Sequence, residues 1–393
     1  MTTLIHAPAD RDTLKRVIRE KIGDRLFVVV SNREPYIHRQ REGRVTVQQP
    51  ASGVVTALDP MLQTCEGLWV AHGSGTADRK VVDERGRIRV PPENPQYTLK
   101  RVWLTKEEEE GYYYGFSNET LWPLCHIAFT PPKFEERYWR LYQQVNQKFA
   151  DTVLEEIGDQ SAFVWVQDYH FALLPQMLKE RRGDLAVAQF WHIPWPNPEV
   201  FRICPWGRQI LEGMLGNDLL GFHVSRHCEN FINSVEQMVE VRVDRQRPSI
   251  YHHGGIETQV RTFPIGVDFD QINRDVTRDF SKDEDLQSAL KCLPEKCEYL
   301  AVSVDRIDYT KGIPESIEAM DRFFEKYPEM LGKFVFLRLG SISRIHIGAY
   351  KELNERINAM VEQINWKYAA DNWQPVVFLR RELTYPEILV FYR

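Results

Sequence analysis

Short, continuously apolar segments alternate with longer amphipathic segments over most of the chain. The apolar segments are rich in β-branched and aromatic side chains and carry no polar face. Segments of this kind are typical of strands buried in a parallel sheet that is covered by helices on both sides. We predict strands at residues 26–31, 163–166, 186–191, 218–222, 300–304, 333–339 and 376–379.

The amphipathic segments between these strands predict helices, most clearly at residues 134–157, 225–239 and 313–326. Regular alternation of strand and helix indicates a doubly wound α/β fold. The first 25 residues predict a short amphipathic helix, and they lack the uninterrupted apolar segment of a signal peptide.

Turn-forming residues are concentrated at residues 245–265, and Pro264 and Gly266 lie where a strand leads into a loop. A chain of 393 residues is also too long for one ordinary core. We therefore predict two Rossmann-like domains that face a cleft, residues 1–255 and residues 256–393. In open α/β sheets ligands bind beyond the carboxyl ends of the strands, so the polar residues at those ends are the candidates for function.

The composition narrows the class of protein. Hydrophobic residues make up 43% and charged residues 27%, as in a folded globular protein, and no apolar segment is long enough to span a bilayer. We expect a cytoplasmic protein whose six scattered cysteines, none in a C-x-x-C pair, stay reduced. A net charge of −6 argues against bulk nucleic-acid binding, so an anionic small molecule needs a local group of Arg and Lys.

Polar residues of this kind follow the strands of the first half. Arg33 follows the first strand, where its guanidinium suits a phosphate or merely caps a loop. A polar loop comes next, and then Gly53 opens a helix or forms a simple turn. Asp168 and His192 follow two strands that we expect to be neighbours, so both side chains can reach one ligand.

An aromatic segment lies between these strands. Tyr113 stands in a run of three tyrosines flanked by glycines, and Trp122 follows shortly after. Aromatic rings pack on sugar faces, and Tyr and Trp donate hydrogen bonds, although such clusters are more often plain core.

The second half offers cations at its strand ends. Arg306 and Lys311 follow one strand, Gly312 leads into a helix, and Arg344 follows a later strand. Arg306, Lys311 and the start of that helix predict a diphosphate site, and Arg344 is either one more cation of the cleft or, equally well, a surface residue. We expect no metal, because His223 and His227 have helical spacing but no third ligand at a recognisable distance.

Taken together, these segments resemble the trehalose-6-phosphate synthase family of retaining glycosyltransferases, whose architecture (GT-B) has two Rossmann-like domains. The resemblance runs from about Leu26 to the end of the chain and depends on ordered motifs: SNR, SG, YYYGFSN–LWP, VQDYH, HIPWPNPEVF, LLGFH, FPIGVD, DRIDYTKG and SR. It implies transfer of glucose from a nucleoside diphosphate glucose to glucose 6-phosphate, with no protein nucleophile and no cofactor. The nucleotide base stays open.

The resemblance also implies roles for the candidate residues. The acceptor would be bound by Arg33, Tyr113, Trp122, Asp168 and Arg344 in an acceptor-binding first domain. The donor would be bound by Gly53, His192, Arg306 and Lys311, with the second domain as the nucleotide-sugar domain. Asp168, His192, Arg306 and Lys311 would contribute to catalysis. The implied partners are a sugar phosphate and a nucleotide sugar, with no nucleic acid or membrane, and a homo-oligomer stays open.

Two features depart from the family pattern. The family usually has a tryptophan after its Gly-Leu-Trp strand, near the position of His72 here. The segment that begins with Glu34 resembles glucosylglycerol-phosphate synthases, which use glycerol 3-phosphate, and this acceptor stays open as an alternative.

The family's acidic donor-binding segment would follow Arg393. The second domain is therefore expected to be incomplete in this chain. Two interpretations follow from that expectation: a truncated, non-catalytic relative that binds sugar phosphate, or a fragment of a longer gene product.

Overall fold

The structure is a computed structural model, and it describes residues 11–50, 53–252, 255–281, 283–294, 297–342, 344–370, 372–381 and 383–393. The chain divides into two compact units, Met1–Ile265 and Gly266–Arg393.

The first unit carries twelve strands in its described residues. They are β1 (Leu26–Arg33), β2 (Ile37–Arg41), β3 (Arg44–Gln48), β4 (Leu68–His72), β5 (Arg87–Val90), β6 (Tyr97–Val102), β7 (Ala162–Gln167), β8 (Ala186–Phe190), β9 (Leu219–Phe222), β10 (Arg242–Asp244), β11 (Ser249–His252) and β12 (Ile256–Thr262).

The helices of this unit cover both long and very short segments. They are α1 (Arg11–Ile22), α2 (Gly53–Cys65), α3 (Asp78–Val81), α4 (Lys106–Glu108), α5 (Trp122–His126), α6 (Glu136–Ile157), α7 (Leu174–Arg181), α8 (Pro198–Phe201), α9 (Gly207–Met214) and α10 (Ser225–Met238). A π-helix spans Glu109–Leu121, and a 3₁₀ turn spans Tyr169–Phe171.

Among the described residues, ten strands form one sheet in the order β10-β11-β12-β9-β8-β7-β1-β4-β6-β5. The strands from β12 to β6 in this order run parallel, and antiparallel strands lie at both edges. The central strand β1 is apolar on both faces, and the side chains of Val28, Val29 and Val30 are fully buried. Because the central strands are parallel, the carboxyl ends of β1, β7 and β8 lie along one edge of the sheet.

The predicted strands and helices are confirmed, and the predicted loops are where the structure differs. The polar segment after Arg33 forms an antiparallel hairpin of β2 and β3. The turn-rich segment at residues 245–265 contains β11 and β12, and β12 pairs in parallel with β9. Because this pairing ties β12 to the first sheet, the first unit ends at Ile265, ten residues after the predicted boundary.

The second unit repeats the strand–helix alternation. Its elements are α11 (Phe269–Val276), α12 (Glu284–Leu290), β13 (Tyr299–Arg306), α13 (Ile313–Lys326), β14 (Phe334–Ser341), α14 (Gly348–Tyr368), β15 (Val376–Leu379) and α15 (Tyr385–Tyr392), with 3₁₀ turns at Tyr309–Lys311 and Pro328–Met330. In its described part, three parallel strands pair in the order β13-β14-β15. Leu337 and Val335 of β14 are fully buried.

Two smaller predictions concern the cysteines and the membrane. Each cysteine is a free thiol, either buried or half-buried, as predicted. Across the part of the chain that the structure describes, no helix combines the length and the apolar character needed to cross a bilayer.

Candidate active site

Asp168 lies directly after β7 in an unusual backbone conformation, with φ 71° and ψ 179°. This region of backbone space is populated almost only by glycine and costs a residue with a side chain about 1–3 kcal/mol. The carboxylate is fixed through Oδ1, which accepts hydrogen bonds from the backbone N–H of Tyr169 (2.9 Å) and of His192 (3.2 Å). The strained backbone therefore holds the Asp168 carboxylate at the ends of two adjacent strands.

His192 lies after β8, which pairs with β7 as predicted. Its Nε2 is 3.0 Å from the Oε1 of Gln167, a geometry that fits Nε2–H as the donor. Burial lowers the pKa of His192, and the opposing charge of Asp168 only partly offsets this effect. A neutral imidazole with a fixed ring orientation follows, and Gln167 is a partner that the sequence did not single out.

The aromatic segment folds into the π-helix and packs beside these strand ends. The ring of Tyr113 stacks on His170 with ring centroids 5.7 Å apart, and Trp122 packs against Tyr169 at 5.8 Å. Tyr169 also donates a hydrogen bond from its hydroxyl to Asn118 Oδ1 (2.9 Å). Since Tyr169 and His170 follow Asp168 directly, the structure brings the predicted Tyr113 and Trp122 to the region of Asp168.

Arg33 is the last residue of β1 and is exposed. Strand β1 lies between β7 and β4, so Arg33 reaches the same sheet edge as Asp168, and in the β1–β4 pairing it lies opposite His72. Gly53 is the first residue of α2, as predicted, and a Cβ atom added there would meet nothing within 4 Å. Its neighbour Ser52 lies outside the described residues.

In the second unit, Arg306 ends β13 and the exposed Lys311 ends the following 3₁₀ turn. Gly312 has φ 60° and precedes the first turn of α13, and this left-handed conformation favours glycine. The predicted arrangement of two cations before a helix N-terminus is therefore present within this unit.

Arg344 is buried rather than exposed. Its Nη1 donates to the hydroxyl of Tyr350 (2.7 Å) and lies 3.4 Å from Asp308 Oδ2, and that hydroxyl donates to the same carboxylate oxygen (2.9 Å). Asp308 also accepts a hydrogen bond from the backbone N–H of Thr310 (3.0 Å). These contacts rule out the alternative that Arg344 is a mere surface residue, and they identify Asp308 and Tyr350 as supports that the sequence did not reveal.

The arrangement of His, Cys, Asp and Glu side chains was also compared with the needs of a metal site. Within the described ranges, no group of three or more His, Cys, Asp or Glu side chains is arranged to hold a metal ion. The rings of His192 and His223 are neighbours, with centroids 5.8 Å apart, and both pack edge-on against Phe190.

Comparisons with known proteins identify the family. The model of the family described as Glycosyltransferase family 20 matches residues 25–393. The alpha,alpha-trehalose-phosphate synthase [UDP-forming] of Schizosaccharomyces pombe is 30% identical over 97% of this chain and 73% of its own length.

Two further relatives add to this result. A bifunctional trehalose-6-phosphate synthase/phosphatase of Thermoproteus tenax is 34% identical over 93% of this chain, and the chain spans about half of that protein, 49% of its length. A solved trehalose-6-phosphate protein from E. coli, bound with UDP-2-fluoro glucose, is 25% identical with a TM-score of 0.78, over 93% of this chain and 76% of the solved one.

The ordered motifs, the α/β architecture of both units and these matches agree with one another. The predicted fold class of two Rossmann-like domains is confirmed by the solved relatives. The chain belongs to glycosyltransferase family 20, the trehalose-6-phosphate synthase family that its motifs resemble.

Proposed function

We propose that the protein transfers glucose from UDP-glucose to glucose 6-phosphate and forms trehalose 6-phosphate and UDP. The relatives named UDP-forming trehalose-phosphate synthases support this reaction and this nucleotide. The structural observation that carries the proposal is the strained Asp168, whose carboxylate is hydrogen-bonded to the backbone of His192 at the end of the neighbouring strand. Such an arrangement suits the binding of sugar hydroxyls beside a reacting carbon.

The first unit supplies the acceptor groups in this proposal. Arg33 binds the phosphate of glucose 6-phosphate as a fixed cation, and the rings of Tyr113 and Trp122 pack beside the sugar and donate hydrogen bonds. Asp168 accepts hydrogen bonds from sugar hydroxyls. The resemblance also assigns Arg344 to the acceptor phosphate, and within the second unit Asp308 and Tyr350 fix its guanidinium.

The donor is assigned to His192, Gly53, Arg306 and Lys311. The bond between the glucose anomeric carbon and the diphosphate oxygen breaks, and the hydroxyl at C1 of glucose 6-phosphate forms the new bond from the same face. A donor phosphate oxygen takes the proton of that hydroxyl. Arg306 and Lys311 stabilise the negative charge that grows on the leaving diphosphate, which is the largest electrostatic demand of the step.

We also propose that this reaction needs no metal cofactor, because two cations already stand at the assigned diphosphate site. EDTA then leaves the rate of UDP release unchanged. A lower rate in EDTA that recovers when Mg²⁺ is added would contradict this assignment. The location that we propose is the cytoplasm, and fractionation of cells that express the protein tests it. We also propose that the protein forms a homo-oligomer. Sedimentation of the purified protein measures its mass and tests this.

The reaction is tested by UDP release from the complete gene product with UDP-glucose and either glucose 6-phosphate or glycerol 3-phosphate. We expect release with glucose 6-phosphate and a product whose NMR spectrum shows two α-linked anomeric carbons. Release with glycerol 3-phosphate alone would instead support the glucosylglycerol-phosphate reaction that the segment after Arg33 resembles. No release with either acceptor would refute the proposed function.

The acceptor assignment has its own test in Arg33→Ala. The loss of a charge-assisted contact worth about 1.5–3 kcal/mol raises the KM for glucose 6-phosphate by roughly 10- to 100-fold. The KM for UDP-glucose stays nearly unchanged. Arg44→Ala, at an exposed arginine of the hairpin, is the matched control and leaves both constants unchanged. An Arg33→Ala effect confined to the donor would refute the assignment.

A further inference from the structure

A cluster of buried ionisable side chains lies beside the segment that follows Arg33. Its members are Glu34, His38, Asp78 and Arg101, each no more than 3% exposed. We call this group the Arg101 cluster. It joins residues from β2, α3 and β6 to the turn after β1, and no substrate role has been assigned to any of its members above.

Arg101 stands at the centre of the cluster. Its Nε donates to Glu34 Oε2 (2.8 Å), and its Nη2 lies 3.0 Å from Asp78 Oδ1 and 2.8 Å from His38 Nδ1. The same Nη2 donates to the backbone carbonyl of Tyr36 (2.9 Å). The Arg101 guanidinium therefore contacts Glu34, Tyr36 and His38. These three residues belong to the segment that begins directly after Arg33.

The carboxylates of the cluster bind the backbone of a second segment, the turn of residues 73–75 that follows β4. Glu34 Oε1 accepts hydrogen bonds from the backbone N–H of Ser74 (2.8 Å) and from its hydroxyl (3.1 Å). Asp78 accepts one from the backbone N–H of Gly75 (2.6 Å) and one from that of His38 (2.8 Å). The cluster thus ties together the segments that follow β1 and β4.

Packing between the two segments is tight. A Cβ atom on Gly75 would lie 2.3 Å from the backbone oxygen of His38 and 2.6 Å from Asp78 Oδ1. Only glycine leaves room for this approach.

The energetics favour a geometric role over a stabilising one. Taking the guanidinium of Arg101 and the carboxyl groups of Glu34 and Asp78 out of water costs several kcal/mol for each charged group, and their attraction and hydrogen bonds roughly offset that cost. A packed apolar cluster would stabilise the fold at least as well. What the charged cluster adds is direction, because its hydrogen bonds fix backbone groups in the two segments that follow β1 and β4, at Tyr36, His38, Ser74 and Gly75.

We propose that Arg101 is a positioning residue of the acceptor site, which orients Arg33 by fixing the segments of residues 34–38 and 73–75, and does not itself touch the acceptor. The inference rests on the proposed function, since it gives Arg33 its assigned role toward the acceptor phosphate. It extends that function by making acceptor affinity depend on a buried arginine, Arg101 of β6, two strands away from Arg33 of β1 in the sheet.

The test is Arg101→Met, with Lys100→Met as the matched control. Lys100 is the neighbouring cation of β6, is 8% exposed, and forms its own ion pair with Glu156 (3.0 Å) outside the cluster. We expect Arg101→Met to raise the KM for glucose 6-phosphate about tenfold, as expected for a phosphate ligand that is misplaced by a fraction of an ångström. The KM for UDP-glucose should change less than twofold, and Lys100→Met should change neither constant.

The same substitution is repeated in the Arg33→Ala protein. If Arg101 acts through Arg33, Arg101→Met has no further effect on the acceptor KM in that background. Ser74→Ala, which removes a single hydroxyl contact, gives a smaller increase of the same kind if Arg101→Met does not yield folded protein.

The outcomes separate the two proposals. An inactive wild-type protein refutes the proposed function. An active wild-type protein whose folded Arg101→Met and Ser74→Ala variants keep the wild-type acceptor KM overturns the positioning role. An equal rise of both substrate constants, or an effect of Arg101→Met that persists without Arg33, also overturns it, because a merely structural residue would behave in this way.

Discussion

At the scale of single residues, Asp168 combines a strained backbone with a carboxylate whose orientation is fixed by hydrogen bonds. Its φ of 71° is unfavourable for a residue with a Cβ atom, yet two backbone N–H groups bind its Oδ1. Strain of this kind persists where the surroundings determine the conformation, and such positions cluster at active sites. Glu34 is a second residue whose environment sets its chemistry, because it is an acid buried beside both an arginine and another carboxylate.

Replacing Asp168 with asparagine keeps the size of the side chain and removes its charge. We expect kcat/KM for glucose 6-phosphate to fall about 10- to 100-fold, since hydrogen bonds to a charged group contribute about 1.5–3 kcal/mol. Steady-state kinetics measure this change. Asp184→Asn, at an exposed aspartate paired with Arg182, should leave kcat/KM unchanged, and equal activity of the two variants would show that Asp168 is not part of the site.

The shifted pKa of Glu34 predicts how the stability of the protein depends on pH. Burial and the nearby carboxylate of Asp78 raise its pKa from 4.5 to about 8, against the opposing charge of Arg101. The folded protein therefore binds a proton between about pH 5 and 8 that the unfolded chain releases. Consequently the free energy of unfolding falls as the pH rises through this window, and the slope ends above about pH 8.

Urea unfolding of wild-type and Glu34→Gln protein at several pH values measures this slope. The amide cannot ionise, so the contribution of Glu34 disappears in the variant. Burial alone would raise the pKa of Asp78, but hydrogen bonds from His38 and Glu34 outweigh it and lower this pKa to about 2. The ionisation of Asp78 therefore changes the free energy of unfolding only below this pH window. Glu110→Gln, at an exposed glutamate, serves as control. Parallel pH profiles of Glu34→Gln and wild type would contradict the prediction.

At the scale of elements, the π-helix Glu109–Leu121 explains why glycines flank the tyrosines. A Cβ atom on Gly111 would lie 2.2 Å from Leu141 Cδ1, and one on Gly115 would lie 2.5 Å from the ring of Tyr138. The π-helix therefore packs closely against α6 through its glycines. Helices of this type are rare and often occur at functional sites. Tyr112, which follows Gly111, lies between Tyr142 of α6 and the rings of His170 and Phe171.

Gly115→Ala is expected to destabilise the protein by about 1–3 kcal/mol, because the methyl group would overlap the Tyr138 ring in a packed interior. Equilibrium denaturation gives the change in the free energy of unfolding. Gly183→Ala is the matched control, since its nearest non-adjacent atom would be 3.7 Å away, at ordinary contact distance. Similar stability of the two variants would mean that the π-helix can shift away from α6.

At the scale of the whole molecule, the two units each have a sheet of their own. In the described residues of the first unit, every strand of the main sheet pairs with strands of the same unit, from β10 at one edge to β5 at the other. Its core includes Trp69, Tyr97 and Leu62, all fully buried. These features are those of a region that folds independently.

A fragment of residues 1–265 is therefore expected to unfold in urea in one cooperative transition, followed by circular dichroism. A fragment of residues 1–255, which ends at the boundary predicted from the sequence, lacks β12. Removing that strand exposes the edge of β9 and separates the β10–β11 pair from the rest of the sheet. The shorter fragment should be clearly less stable, and equal stability of the two fragments would show that β12 does not belong to the first unit.

The sequence by itself determined the strands, the long helices and the residues that follow the strands. These features depend on local chemistry, since an apolar segment of β-branched residues favours a buried strand wherever it lies. Asp168 and His192 were predicted for this reason, and the family was recognisable from ordered motifs. Turn-rich composition placed the domain boundary at residue 255, before the end of the first unit at Ile265, because the pairing of β12 with β9 ties that strand to the first sheet.

Only the tertiary structure decided which distant residues act together. Arg101 meets Glu34 across 67 positions of the chain, Arg344 meets Asp308 across 36, and the π-helix reaches Tyr169 through Asn118 across 51. Such contacts arise from the order of strands and the packing of helices, which no local pattern encodes. The sequence by itself therefore identified candidate ligands of the acceptor, and the fold showed which buried residues contact the segments around them.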